Sequence, residues 1–183
     1  LVNSNFALID PRYETRAYEE RAVKEVKLYG SNLKKFLSLM RYRKKNFLKN
    51  VEILLKKNPK INFVLRPHPS ESKNDYLKLS KKYLNAYFST KYNSINWIVN
   101  SLGIIHIDCM TAIEAFKYNK PSISFSWLIK NKNLCYYVPQ QCSYQAKSID
   151  DVNKQIERLH SKKIKKLKNS DITTFKNFYG NVK

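Results

Sequence analysis

The sequence predicts an α/β domain, with a parallel sheet covered by helices on both faces. Three observations carry this. Short apolar runs of strand length alternate with helical patterns along most of the chain. Hydrophobic residues make up 43% of 183 residues, enough for the core of one domain and too few residues for two well-formed α/β domains. No internal repeat and no low-complexity linker interrupts the alternation.

The elements follow in order. Residues 1–8 read as a buried strand, and charges of both signs at helical spacing predict a helix over 14–29. A longer helical pattern covers 34–57. In it Phe36, Leu37, Met40, Phe47, Val51, Leu54 and Leu55 recur at three- and four-residue intervals, and Asn58-Pro59 stops it. The run 61–65 is a strand that ends at Arg66-Pro67-His68-Pro69. Ser72 and Asp75 have the spacing of a capping box, with Asp for the usual Glu, and open a helix to about Lys82. A strand over 86–89, a short helix over 95–102 with Trp97 and Ile98 inward, and a strand over 104–107 come next. Then follow a helix over 111–118, a turn at Asn119-Lys120 and a strand over 121–125. The stretch 126–146, aromatic with one proline, reads as irregular. A helix over 150–159 completes a domain spanning 1–160, and residues 161–183 form a basic tail.

Bulk properties narrow the function classes. No apolar run reaches the roughly 18 residues that span a bilayer, and no signal peptide is visible. Cys109, Cys135 and Cys142 form no CxxC pair and leave one odd, so neither a disulfide framework nor a zinc site is indicated, and a reducing, cytoplasmic setting fits. The net charge of +21 has two readings: attraction to an anionic partner, or a general excess of lysine. The chain opens with Leu1 inside a strand, which leads us to expect a preceding N-terminal domain. Glycine occurs only at 30, 103 and 180, so the GxGxxG and P-loop signatures are absent.

Ligands of open parallel sheets bind beyond the carboxyl ends of the strands, and two predicted strand ends carry chemistry. At the first, prolines on both sides hold His68 in a stiff extended loop. Arg66 adds a guanidinium suited to phosphate or carboxylate. Ser70 and Ser72 stand at a helix entrance, whose backbone N–H groups favour an anion. The plainer reading is a stiff loop with a capping serine. At the second, Thr111 opens a helix and can offer a hydroxyl and an N–H to phosphate, while Glu114 lies about one turn deeper and can accept from a ribose diol. Taken alone, Thr111 and Glu114 also read as a cap with an acidic first turn. His106, inside its strand, reads as a core histidine, and Cys109 as packing, with lining of the pocket as the lesser reading.

Together these segments resemble a known family. RPHPSES at 66–72, Trp97 and HIDCMTAIEAFKYNKPSISF at 106–125 look like the C-terminal half of bacterial surface-carbohydrate (capsule or O-antigen) biosynthesis proteins. There an RPHP loop precedes an H-x-x-C-T-T-x-x-E-A helix start and a K-P strand. The opening LVNSNF is similar to that family's N-T-N-F segment, which brings in Asn5. The resemblance covers about residues 1–126. It implies one Rossmann-like half of a glycosyltransferase B-type architecture, binding a nucleotide-sugar donor, with a CMP-sugar favoured. By the same analogy His68 contacts the donor phosphate, Ser70 and Thr111 add donors, and Glu114 holds the ribose or base. Arg66, Ser72 and Asn5 complete the expected donor-binding set. Met110 departs from the family, which has a Thr there. The acceptor would be a glycan or glycolipid, and the catalytic base would lie in the N-terminal domain.

On this reading no cofactor and no metal is expected. A donor phosphate leaves with developing negative charge, which preorganised donors stabilise. Two rivals stand beside it. One is a glycerophosphotransferase of the teichoic-acid type using a CDP-linked polyol; its second loop favours a Ser pair after Asp-Tyr, which this chain lacks. The other is a non-catalytic basic module, with the tail from Ser161 lying on anionic lipid at the inner membrane face or touching nucleic acid. Nucleic acid is the less expected partner, because no reader motif is present.

Overall fold

A computed structural model of the chain describes residues 1–12, 32–131 and 135–161, together with Glu20, Val23, Lys24 and Lys27. The expected helix over 14–29 falls almost wholly outside the described residues, and the tail beyond Ser161 falls outside them entirely.

Six strands form one sheet: β1 (Val2–Asn3), β2 (Phe63–Arg66), β3 (Ala86–Phe88), β4 (Ile104–His106), β5 (Ser122–Ser124) and β6 (Tyr144–Gln145). Every pairing is parallel, in the order β3-β2-β1-β4-β5-β6. The order runs outward in one direction to β3 and in the other to β6, so it reverses between β1 and β4. This is a Rossmann-like arrangement. The helices are α1 (Leu33–Lys57), α2 (Asn74–Lys82), α3 (Ser94–Val99), α4 (Thr111–Lys117), α5 (Tyr137–Gln141) and α6 (Ile149–His160), with a 3₁₀ turn at Ser126–Leu128.

Alternation along the strands divides the core between the two sheet faces. Val2, Leu65, Ile105 and Ile123 join Phe47, Val51, Leu54 and Leu55 of α1 and Val152 and Ile156 of α6 in the larger cluster. Ile104 faces the other way, into a smaller cluster with Ile98 of α3 and Ala112, Ile113 and Ala115 of α4. Phe6, Phe47, Phe125 and Trp127 form a run of tilted ring contacts through the larger core. The spacing of 47, 51, 54 and 55 puts one stripe of α1 on the sheet. Asn32 caps its start by accepting from the Lys34 N–H at 2.9 Å.

Several expectations need correction. The strand predicted over 1–8 is two residues long. The chain leaves the ladder at Ser4 and folds into a turn in which the N–H groups of Ile9 and Asp10 both donate to the Phe6 carbonyl. Phe6 and Ala7 stay buried from that turn, so their apolar character marks core position and not strand. The capping box at Ser72 and Asp75 does not form: the residue before α2 is Lys73, without a side-chain cap. Asp75 is drawn instead to Lys44, which also pairs with Asp10. The stretch 126–146 is more ordered than predicted, containing the 3₁₀ turn, α5 and β6. Pro139 sits in the first turn of α5, where a missing N–H costs nothing. The helix expected over 95–102 ends at Val99, and Trp97 is half-buried while Ile98 is fully inward. The Asn119-Lys120 turn forms as predicted, with Asn119 at φ 54°.

Candidate functional site

A cleft of about 460 Å³ opens beyond the carboxyl ends of the strands, at the point where the strand order reverses. Its volume is that of a small-molecule site. Three loops build it. The end of β1 contributes Asn3, Ser4 and Asn5, the end of β2 contributes Arg66, His68 and Pro69, and the end of β4 with α4 contributes Cys109, Met110, Thr111 and Glu114. Asn93 and Ser94 at the start of α3, and Tyr136, complete the wall.

The β2 loop is stiffened by its prolines and then bonded to the β1 loop. The His68 N–H donates to the Ser4 carbonyl at 3.1 Å, and the Arg12 N–H to the Ser70 carbonyl at 2.8 Å. Beneath the loop the buried Glu71 carboxyl accepts from Ser4 Oγ at 2.8 Å, the Phe6 N–H at 3.0 Å and the Tyr76 hydroxyl at 2.6 Å. Burial raises the Glu71 pKa, against the lowering effect of those three donors and of Lys44. The loop is therefore tacked to the fold through Glu71. Within it the Ser70 N–H donates to His68 Nδ1 at 3.2 Å. Nδ1 is thus an acceptor, and the neutral ring carries its proton on Nε2.

Arg66 reaches the segment that follows β3. Its Nη2 donates to the Tyr92 carbonyl at 3.1 Å, while its Nε is buried with no hydrogen-bond partner among the described residues. Tyr92 has φ 63°, a left-handed conformation that costs a non-glycine residue about 1–2 kcal/mol. The Arg66 bond and the Trp97 ring, 6.5 Å away between centroids, hold it there.

The opposite wall is fixed by His106. Fully buried, it accepts the Cys109 N–H on Nδ1 at 3.2 Å and bonds Ser143 Oγ through Nε2 at 2.8 Å. Burial depresses its pKa to about 3, so the ring is neutral over the physiological range. It is the core histidine that the sequence indicated. Cys109 is also buried, and burial raises its thiol pKa, so it lines the cleft as an unreactive group. Thr111 Oγ1 donates to Cys109 Sγ at 3.1 Å. Glu114 presents one carboxylate oxygen, Oε2, that is buried with no hydrogen-bond partner among the described residues. The Tyr136 N–H donates to both oxygens of Asp108, at 3.0 Å each, which pins Tyr136 to the cleft wall.

Of the residues singled out from sequence, Arg66, His68, Thr111, Glu114 and Asn5 meet in this cleft. Ser70 and Ser72 are not part of its lining. Ser70 spends its backbone N–H on His68, and Ser72 donates its own to the Asp10 carbonyl. The start of α2 carries the Asp10 and Asp75 carboxylates with Lys44, so it is occupied by the protein's own acids. Asn3, Ser4, Asn93, Ser94 and Tyr136 were not anticipated. Asn3 lay inside a run read as buried strand, and only the strand order reveals that it ends at the cleft. Glu71 was missed because a glutamate in a polar loop gives no sign of burial. Among the described residues no group of three or more His, Cys, Asp or Glu is placed to hold a metal ion, and no helix is long and apolar enough to cross a membrane.

No family model matches the chain, and no curated protein and no solved structure matches it.

Proposed function

We propose that this cleft holds the nucleotide end of a sugar donor, and that the chain is the donor-binding domain of a glycosyltransferase of bacterial surface-polysaccharide synthesis using a CMP-linked sugar. One observation carries the reading. Cationic and hydrogen-bonding side chains from three distant loops, Asn5, Arg66, His68, Thr111 and Glu114, line one cleft at the reversal point of a parallel sheet. The RPHP resemblance supplies the substrate class.

In this reading His68 donates from Nε2 to a phosphate oxygen, in the tautomer that the Ser70 N–H selects. Arg66 adds positive charge, and its engagement with Tyr92 leaves it a pre-positioned point of attraction. Both act most strongly as the phosphate leaves and its charge grows. Thr111 joins them only by turning its hydroxyl away from Cys109. Glu114 repels phosphate and suits a ribose hydroxyl or a base amine.

The test is a calorimetric titration of the chain with CMP, CDP, UDP and GDP, in wild type and in His68→Ala. Preferential CMP binding, weakened about tenfold to a hundredfold in the variant, is expected for the loss of one charge-assisted hydrogen bond. A preference for CDP would transfer the reading to a CDP-polyol donor. Absence of binding to all four would overturn it.

A further inference from the structure

The cleft contains a polar side chain that the fold leaves unused. Asn3 is 1% exposed, and neither its amide nitrogen nor its amide oxygen has a hydrogen-bond partner among the described residues. Buried amides are almost always paired, because an unpaired one loses its hydration for nothing. Asn3 also holds a particular place. It is the last residue of β1, the strand at which the sheet order reverses, and it lines the cleft. Val2 belongs to the larger core, so alternation turns Asn3 to the other face of the sheet, the face that carries α3 and α4. On that side stands Glu114 of α4, whose Oε2 is equally buried and equally unpartnered. The two are not bonded to each other.

We propose that Asn3 is a specificity-determining residue of the cleft. Its amide receives the uncharged, hydrogen-bonding part of the ligand, a hydroxyl or exocyclic amine, beside Glu114. Rules of complementarity fix that chemistry. A carboxylate only accepts, so the ligand must donate there, whereas an amide both donates and accepts. An ionised phosphate could accept from the amide but offers no donor to Glu114 and repels its carboxylate. The ligand is therefore two-ended: anionic toward Arg66 and His68, and neutral with N–H or O–H donors toward Asn3 and Glu114. Inorganic phosphate or pyrophosphate satisfies only half of the site. This inference rests on the nucleotide reading above and adds to it the residue that tells a nucleotide from a bare phosphate.

The experiment uses Asn3→Leu, close in volume and without polar atoms, and Asn3→Ser as a smaller variant that tolerates the site if leucine does not. Each is melted without ligand and titrated with CMP. The expected result is a CMP affinity reduced about tenfold or more in Asn3→Leu. Its ligand-free melting temperature is expected to match wild type or exceed it by about 2–4 °C, since an unpaired amide has been removed. If Asn3→Leu misfolds, the same loss of CMP affinity in a folded Asn3→Ser carries the proposal. Unchanged CMP affinity in the folded variant overturns the role of Asn3 while leaving the nucleotide reading intact. A lower melting temperature in both variants also overturns it, because the amide would then serve the fold. Failure of wild type to bind CMP sinks both.

Discussion

Two imidazoles set the two walls of the cleft by the same kind of bond. His68 accepts the Ser70 N–H, and His106 accepts the Cys109 N–H, each through Nδ1. Protonating His106 breaks its bond inside the core, and the sign of the effect on stability follows. Its folded pKa, about 3, lies below the 6.5 of an unfolded histidine, so the unfolded state binds more protons between these values. Stability is complete above pH 6.5 and falls as pH drops toward 3, by at most about 1.4 kcal/mol per pH unit. Glu71 works in the opposite sense. Burial raises its folded pKa above 4.5, so its contribution is present below that value and is lost as pH rises through the folded pKa. Urea unfolding of wild type, His106→Asn and Glu71→Gln across pH 4–8 separates them. The acid-side decline is expected to flatten in the first variant, and in the second to steepen over the range where Glu71 offset it. The sequence made His68 legible, because prolines advertise a fixed loop. Glu71 and Asn3 were not legible, since burial of a polar side chain depends on residues far along the chain.

At the scale of elements, β4 and β5 meet closely. A Cβ added at Gly103 would lie 2.8 Å from the Pro121 carbonyl oxygen and 3.1 Å from a Leu159 methyl of α6. The first contact is backbone, and Ile104 already donates to that same carbonyl, so it cannot yield freely. Gly103→Ala is expected to destabilise by about 1–3 kcal/mol in a urea titration. Ser148 caps α6 by accepting the Asp151 N–H at 3.2 Å, and Ser148→Ala is expected to cost about 1 kcal/mol. The helices with long apolar periodicity, α1 and α6, were legible within a residue or two. The failures have physical causes. Asp75 chose Lys44 over its own helix end, Pro139 stood where a helix accepts proline, and Phe6 and Ala7 are apolar for a turn in the core.

For the molecule as a whole, the +21 charge poses a question that salt answers. If this field draws an anionic ligand to the cleft, CMP affinity falls about three- to tenfold between about 0.05 and 0.5 M NaCl. If affinity holds constant, the lysines do not assist the site and reflect composition alone. The central strand carries a different consequence, one of time. Val2 pairs with Leu65 on one side and Ile105 on the other. β1 thus precedes the other strands in the chain yet can settle only after both partners exist. The β2-α2-β3 unit closes over a short span and can assemble early, whereas β1 must bridge two distant segments against a larger loss of chain entropy. The cleft straddles that bridge. The cleft's shape therefore hangs on the two strand pairings that β1 makes, and a ligand present during refolding would have nothing to grip until that strand has docked.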